Sequence, residues 1–226
     1  MNRNMRVRKL VVMAVFVAIE LMLGMPGSPL QRTVGLIQVG VLAATTLHIP
    51  VILAALLEGP WAGMVVGGAF GLCSFLGALT NPVGLGVAFQ NPVVAFVPRI
   101  ILGLVAGLLP LLLKKMKRIG ANSKNASAKR GLGMGAVGIT TGVSTLLHTA
   151  MVFGTFYFFS VFMPSFSLWV KQLNPVLYVV LLTNTLPEIV LAIVVVTALY
   201  RALQPLYRNL PKATYGKPTK EGGVAP

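Results

Sequence analysis

The sequence predicts an all-α integral membrane protein of six transmembrane helices, with both termini on the cytoplasmic side. Three observations predict it. Hydrophobic residues make up 56% of the 226, and only 10% are charged, against about 25% charged in soluble domains. The mean hydropathy is +0.84. The basic residues fall into three clusters between apolar runs, the pattern of a positive-inside membrane protein and not of a nucleic-acid binder, despite the net charge of +15.

The apolar runs follow in order. Lys9 to Met25 is the first span, retained and not a cleaved signal because it is long and further spans follow. Gly24 to Leu30, with two prolines and two glycines, is an outer loop. Val34 to Leu57 is the second span, broken at His48-Ile49-Pro50. Either this helix kinks at Pro50, or the part before it folds back into the outer leaflet as part of a lid. Glu58-Gly59-Pro60 is a tight turn, since a residue before proline is pushed out of helical space.

Trp61 to Leu79 is the third span. Gly63, Gly67 and Gly71 recur on one face there and admit another backbone closely. Thr80 to Asn91 is a second outer loop. Pro92 to Leu113 is the fourth span, with Gly103 and Gly107 at the same spacing. Lys114 to Arg130 is a basic loop. Leu132 to Phe162 is the fifth span, Pro164 to Asn174 the third outer loop and Pro175 to Leu203 the sixth span. Residues 1–205 form one six-helix domain. Residues 206–226 are a basic cytoplasmic tail, read as disordered. No repeat is visible.

Orientation rests on where the 19 Lys and Arg lie. The N-terminus holds Arg3, Arg6, Arg8 and Lys9. The loop after span four holds seven and the C-terminal side five, so sixteen share one face. Arg32 and Lys171 lie on the other, and Arg99 lies within a span.

Ionisable groups inside a span are expensive unless paired or wetted. Arg99 and Glu188 read first as a buried ion pair locking spans four and six; the alternative is that one of them contacts a substrate. Glu20, near the outer end of span one, is free to face water. His48 reads as a hydrogen-bonded histidine at a helix start and not as a metal ligand, because no second ligand stands at suitable spacing. His148 lies in a polar stripe with Thr145, Thr149 and Tyr157, which either lines a cavity or satisfies helix–helix hydrogen bonds. Gln90, Asn91 and Asn174 stand where outer loops re-enter helices, so they either cap helices or bind a small polar solute. Phe89, Phe96, Trp169 and Tyr178 either stack on such a solute or belong to an interfacial belt. The single cysteine, Cys73, excludes an internal disulfide and a cysteine-based metal site. No catalytic constellation, no metal or cofactor motif and no Walker A motif appears, so the chain is not read as an enzyme and cannot hydrolyse ATP.

Four stretches carry a resemblance. LHIPVILAALLEGPWAGMVVGGAFGL, NPVVAFVPRIILGLVAGLL (Asn91 to Leu109), TNTLPEIVLA (Thr183 to Ala192) and the Ala14-Val-Phe-Val-Ala18 motif of span one stand in order. Together they resemble the substrate-binding (S) components of energy-coupling-factor vitamin transporters, over most of the chain between Ala14 and Ala192. The resemblance implies a subunit that captures a water-soluble vitamin or precursor at the outer face. It then reorients in the membrane with a transmembrane scaffold subunit and two ABC ATPases. By the same resemblance Ala14 and Ala18 would dock on the scaffold, and Gln90, Asn91, His148, Asn174 and Asn184 would line the pocket, with Trp169 as a wall. Arg99 and Glu188 match positions that recur across substrates, which favours a structural role for them. The HIPVI segment and the GTFYFF region look most like pantothenate-type components, with riboflavin and cobalamin left open. A stand-alone ion-coupled carrier would need acids in a water path and repeat symmetry. A membrane scaffold or assembly protein without a ligand is the other competing class.

Overall fold

The computed structural model describes residues 3–39, 42–80, 88–120, 133–162 and 185–205. Six α-helices form the bundle. These are α1 (Arg3–Gly24), α2 (His48–Glu58), α3 (Pro60–Thr80), α4 (Pro92–Gly120), α5 (Met134–Phe162) and α6 (Thr185–Pro205). Four of them, α3 to α6, are long and apolar enough to cross a membrane. The helical architecture is the expected one; the six-span count and the side on which the termini lie are not fixed by it.

The break expected within Val34 to Leu57 is present, and the part before His48 is not helical. A π-helical turn, Gln31–Gly35, leads into a small antiparallel hairpin, β1 (Leu36–Val39) and β2 (Leu42–Thr45), with Leu36 opposite Thr45 and Val39 opposite Leu42. Only then does α2 begin. Its 11 residues reach about 16 Å, roughly half of a bilayer core. Pro50 lies in its first turn, where a helix needs no backbone donor, so it helps start α2 instead of kinking it. Of the two readings open at Pro50, the chain takes the one in which the preceding segment leaves the helix. Thr46 fastens that segment down: its N–H donates to the Gly35 carbonyl (3.1 Å) and its hydroxyl to the Val34 carbonyl (2.6 Å).

Helix α2 is the centre of the core. Every residue from His48 to Ala55 is buried, and Ile52 and Val51 pack with Val66 of α3, Leu102 of α4, Val137 of α5 and Val196 of α6. The turn after it is the one expected at Glu58-Gly59-Pro60. Gly59 has φ of 99°, a conformation that costs any other residue a steric penalty. Its N–H still closes α2 on the Ala55 carbonyl at 2.9 Å, and Pro60 then opens α3 at a position suited to proline.

The glycine face of α3 meets α4. A methyl group added at Gly63 would strike the backbone of Gly103, one at Gly67 the carbonyl of Arg99, and one at Gly71 the ring of Phe96. Without those side chains the two backbones approach as membrane helix pairs do. This approach places the Arg99 backbone directly on α3.

Helix α4 continues to Gly120, so Lys114 to Gly120, expected in the basic loop, are helical. The rest of that loop, residues 81–87 of the second outer loop, the third outer loop, residues 175–184 of the expected sixth span and the tail lie outside the described residues.

Candidate functional site

The site is built around Arg99 on α4. Pro98 precedes it inside the helix. A helical proline has no N–H for the carbonyl four residues back, here Val94. Arg99 supplies the missing donor: its Nη1 donates to the Val94 carbonyl at 2.9 Å. The side chain therefore folds back along its own helix and stays inside the bundle, only 4% exposed. Two aromatic faces hold the guanidinium, with its central carbon 4.4 Å from the Phe89 ring centroid and 5.1 Å from that of Phe70. Such contacts stabilise a desolvated cation by about 0.5–2 kcal/mol each. The Arg99 Nε is buried without any hydrogen-bond partner.

Two histidines complete the cluster. His148, on α5, lies with its ring 5.7 Å from that of Phe70, within electrostatic range of Arg99 and of His48. His48, the first residue of α2, is buried and its ring bonds the backbone of Thr45. The Nε2 atoms of both histidines are buried and unpartnered. One turn from His148, on the same side of α5, the Thr145 hydroxyl is also buried and unpartnered. Four helices thus bring an arginine, two histidines, a threonine and Phe70 together inside the bundle. Buried polar atoms without partners are rare in folded proteins and cost about 1–3 kcal/mol each. Several in one cluster mark a place where another polar molecule can supply the partners.

An aromatic layer closes one side. Phe89 lies between Arg99 and α5, 5.3 Å from the ring of Phe156, which in turn meets Phe153 at 6.0 Å. Ala88 and Val94 fill the same cluster.

The residues expected to form the site divide. His148 belongs to the cluster. Gln90 and Asn91 do not reach it through any bond: the Gln90 Nε2 donates to the Ala78 carbonyl at 3.1 Å, and the Asn91 Oδ1 accepts from the Val93 N–H at 2.9 Å. Asn91 thereby caps α4, the simpler of its two readings. Asn174, Asn184 and Trp169 lie outside the described residues.

The expected Arg99–Glu188 ion pair is corrected. Glu188 accepts from the backbone N–H of Thr45 at 2.8 Å, tying α6 to the end of the hairpin, while Arg99 is held by Val94 and the two phenyl rings. Glu20 is corrected too. It does not face water but is fully buried, with both carboxylate oxygens unpartnered and the Cys73 thiol donating to its backbone carbonyl. Ala14 and Ala18 lie on the exposed face of α1, beside Val11, Val15 and Met22. Sequence reasoning assigned His48 a purely local role and passed over Phe70. The Pro98-Arg99 dipeptide was a usable signal for the inward arginine; the full burial of His48 had none.

Comparison with known proteins agrees with this architecture. Residues 8–200 match the family model described as "ECF transporter, substrate-specific component". The chain is 31% identical over 165 residues to the pantothenate transporter PanT of Leuconostoc mesenteroides, covering 72% of this chain and 76% of that protein. It is 28% identical over 179 residues to the pantothenic acid transporter PanT of Lactococcus lactis subsp. cremoris, covering 73% and 80%. With four apolar helices of spanning length and a family match over most of its length, this chain is a multi-pass protein of the bacterial cell membrane and belongs to the substrate-specific components of ECF transporters.

Proposed function

We propose that this chain is the substrate-capture subunit of an ECF-type importer and that its substrate is pantothenate. The observation that carries this reading is the enclosed set of unpartnered polar atoms on Arg99, His48, His148 and Thr145. A small polar solute completes those hydrogen bonds; a purely structural core would leave them costly. The names of the two relatives favour pantothenate over riboflavin and cobalamin.

In this reading the solute enters from the outer face, past the aromatic layer of Phe89, Phe153 and Phe156. Both termini face the cytoplasm in this reading, which the sixteen-to-two division of cations supports. Ala14 and Ala18 dock on the scaffold subunit, and two ATPases drive the reorientation that releases the solute inside. Gln90, Asn91, Asn174, Asn184 and Trp169 remain candidates for the mouth of the pocket.

Calorimetry on the detergent-purified protein against pantothenate, riboflavin and cobalamin tests the reading. Tight binding of pantothenate alone, without ATP or an ion gradient, is expected. A folded, monodisperse protein that binds none of the three would sink it.

A further inference from the structure

We propose that Arg99, His148 and His48 form an anion-reading subsite, so that the captured solute is recognised by a single carboxylate inserted among the three side chains. The proposal rests on the capture function above and assigns the part of the solute that this cluster reads.

Charge carries the argument. Arg99 is buried in the interior of a membrane protein, yet among the described residues no carboxylate pairs with it. Glu188 is committed to Thr45. Arg99 instead shares the Phe70 ring with another basic side chain, His148. A guanidinium held in lipid without a counter-charge would be an expensive arrangement. One anion from outside the chain resolves it.

Geometry limits that anion to a small one. The guanidinium already gives Nη1 to the Val94 carbonyl and packs against the rings of Phe70 and Phe89. What remains is the edge carrying the unpartnered Nε. An edge-on approach suits the plane of a carboxylate, which arginine binds through its in-plane N–H groups. The two unpartnered Nε2 atoms and the Thr145 hydroxyl supply partners for the second oxygen and for a polar group beside it. A phosphate, with more charge and more oxygens, would call for further cations that the described cluster lacks.

The test pairs acids with their neutral counterparts. Purified full-length protein in detergent is titrated with pantothenate and panthenol, nicotinate and nicotinamide, and biotin and biotinamide. The ligand bound should be a carboxylate, at least about 100-fold tighter than its neutral partner. Arg99→Gln should remove that preference by weakening the acid toward the level of the neutral compound. Arg99→Lys keeps the charge without the planar fork. It should keep the preference with weaker binding, and it serves if the glutamine variant does not fold. His148→Gln should narrow the preference roughly tenfold.

Binding of pantothenate with that preference supports both proposals. Binding of a different carboxylate supports the subsite and removes pantothenate as the substrate. A neutral compound bound as tightly as its acid, a preference that survives Arg99→Gln, or no binding by any of the six overturns the subsite.

Discussion

Arg99 hydrogen-bonds the Val94 carbonyl, 2.9 Å away, in the place of the N–H that Pro98 lacks. A helix defect is thereby converted into a tether. The tether fixes a cation inside the bundle without spending a carboxylate on it. Pro98→Ala restores the competing backbone donor and lets the helix straighten. We expect higher thermal stability in detergent together with weaker pantothenate binding, by about 1–2 kcal/mol for a loosened charge-assisted hydrogen bond. Melting curves and calorimetry on the same preparation check this; unchanged affinity would mean the tether does not position the guanidinium.

Phe89 bears on the same guanidinium from the side of the aromatic layer, at 4.4 Å. Phe89→Leu keeps an apolar side chain but removes the π face. The expected loss is about 0.5–2 kcal/mol in ligand affinity, with little change in melting temperature, because Phe153 and Phe156 still pack against each other. Calorimetric titration of the variant checks it. Equal affinity would assign Phe89 to packing alone.

Arg99 and Glu188 hold separate partners. Arg99→Gln and Glu188→Gln should therefore lower ligand-free stability independently, and the double variant should match the sum of the two within about 0.5 kcal/mol. Thermal denaturation of the four proteins decides this. Recovery of stability in the double variant would show that the side chains meet after all.

On α1, Ala14 and Ala18 are exposed and one turn apart, so they form a flat strip free of core contacts. Ala14→Trp and Ala18→Trp should abolish co-purification with an ECF scaffold and ATPases while leaving pantothenate affinity within about twofold, since no buried group is touched. Pull-down and calorimetry together separate the two effects. Loss of binding with retained assembly would move the strip out of the docking surface.

Much of this molecule is determined by local chemistry and was therefore readable along the chain. The Gly59-Pro60 break, the glycine face of α3 and the length of α5 follow from backbone sterics and from the spacing of small and apolar residues, each set within a few turns. The fold-back before Pro50 was one of two open readings, because a proline fits a helix's first turn and a helix's kink equally well by sequence. The pairing of charges was decided only in three dimensions. Arg99 and Glu188 look complementary in one dimension, as two opposite charges inside apolar spans. In the fold, the hairpin brings the Thr45 N–H to Glu188, while Pro98 frees a carbonyl within reach of Arg99. Each charge takes the partner that its own surroundings had left unsatisfied. The burial of His48 likewise depends on a short central helix, α2, whose place is set by the neighbours it packs against.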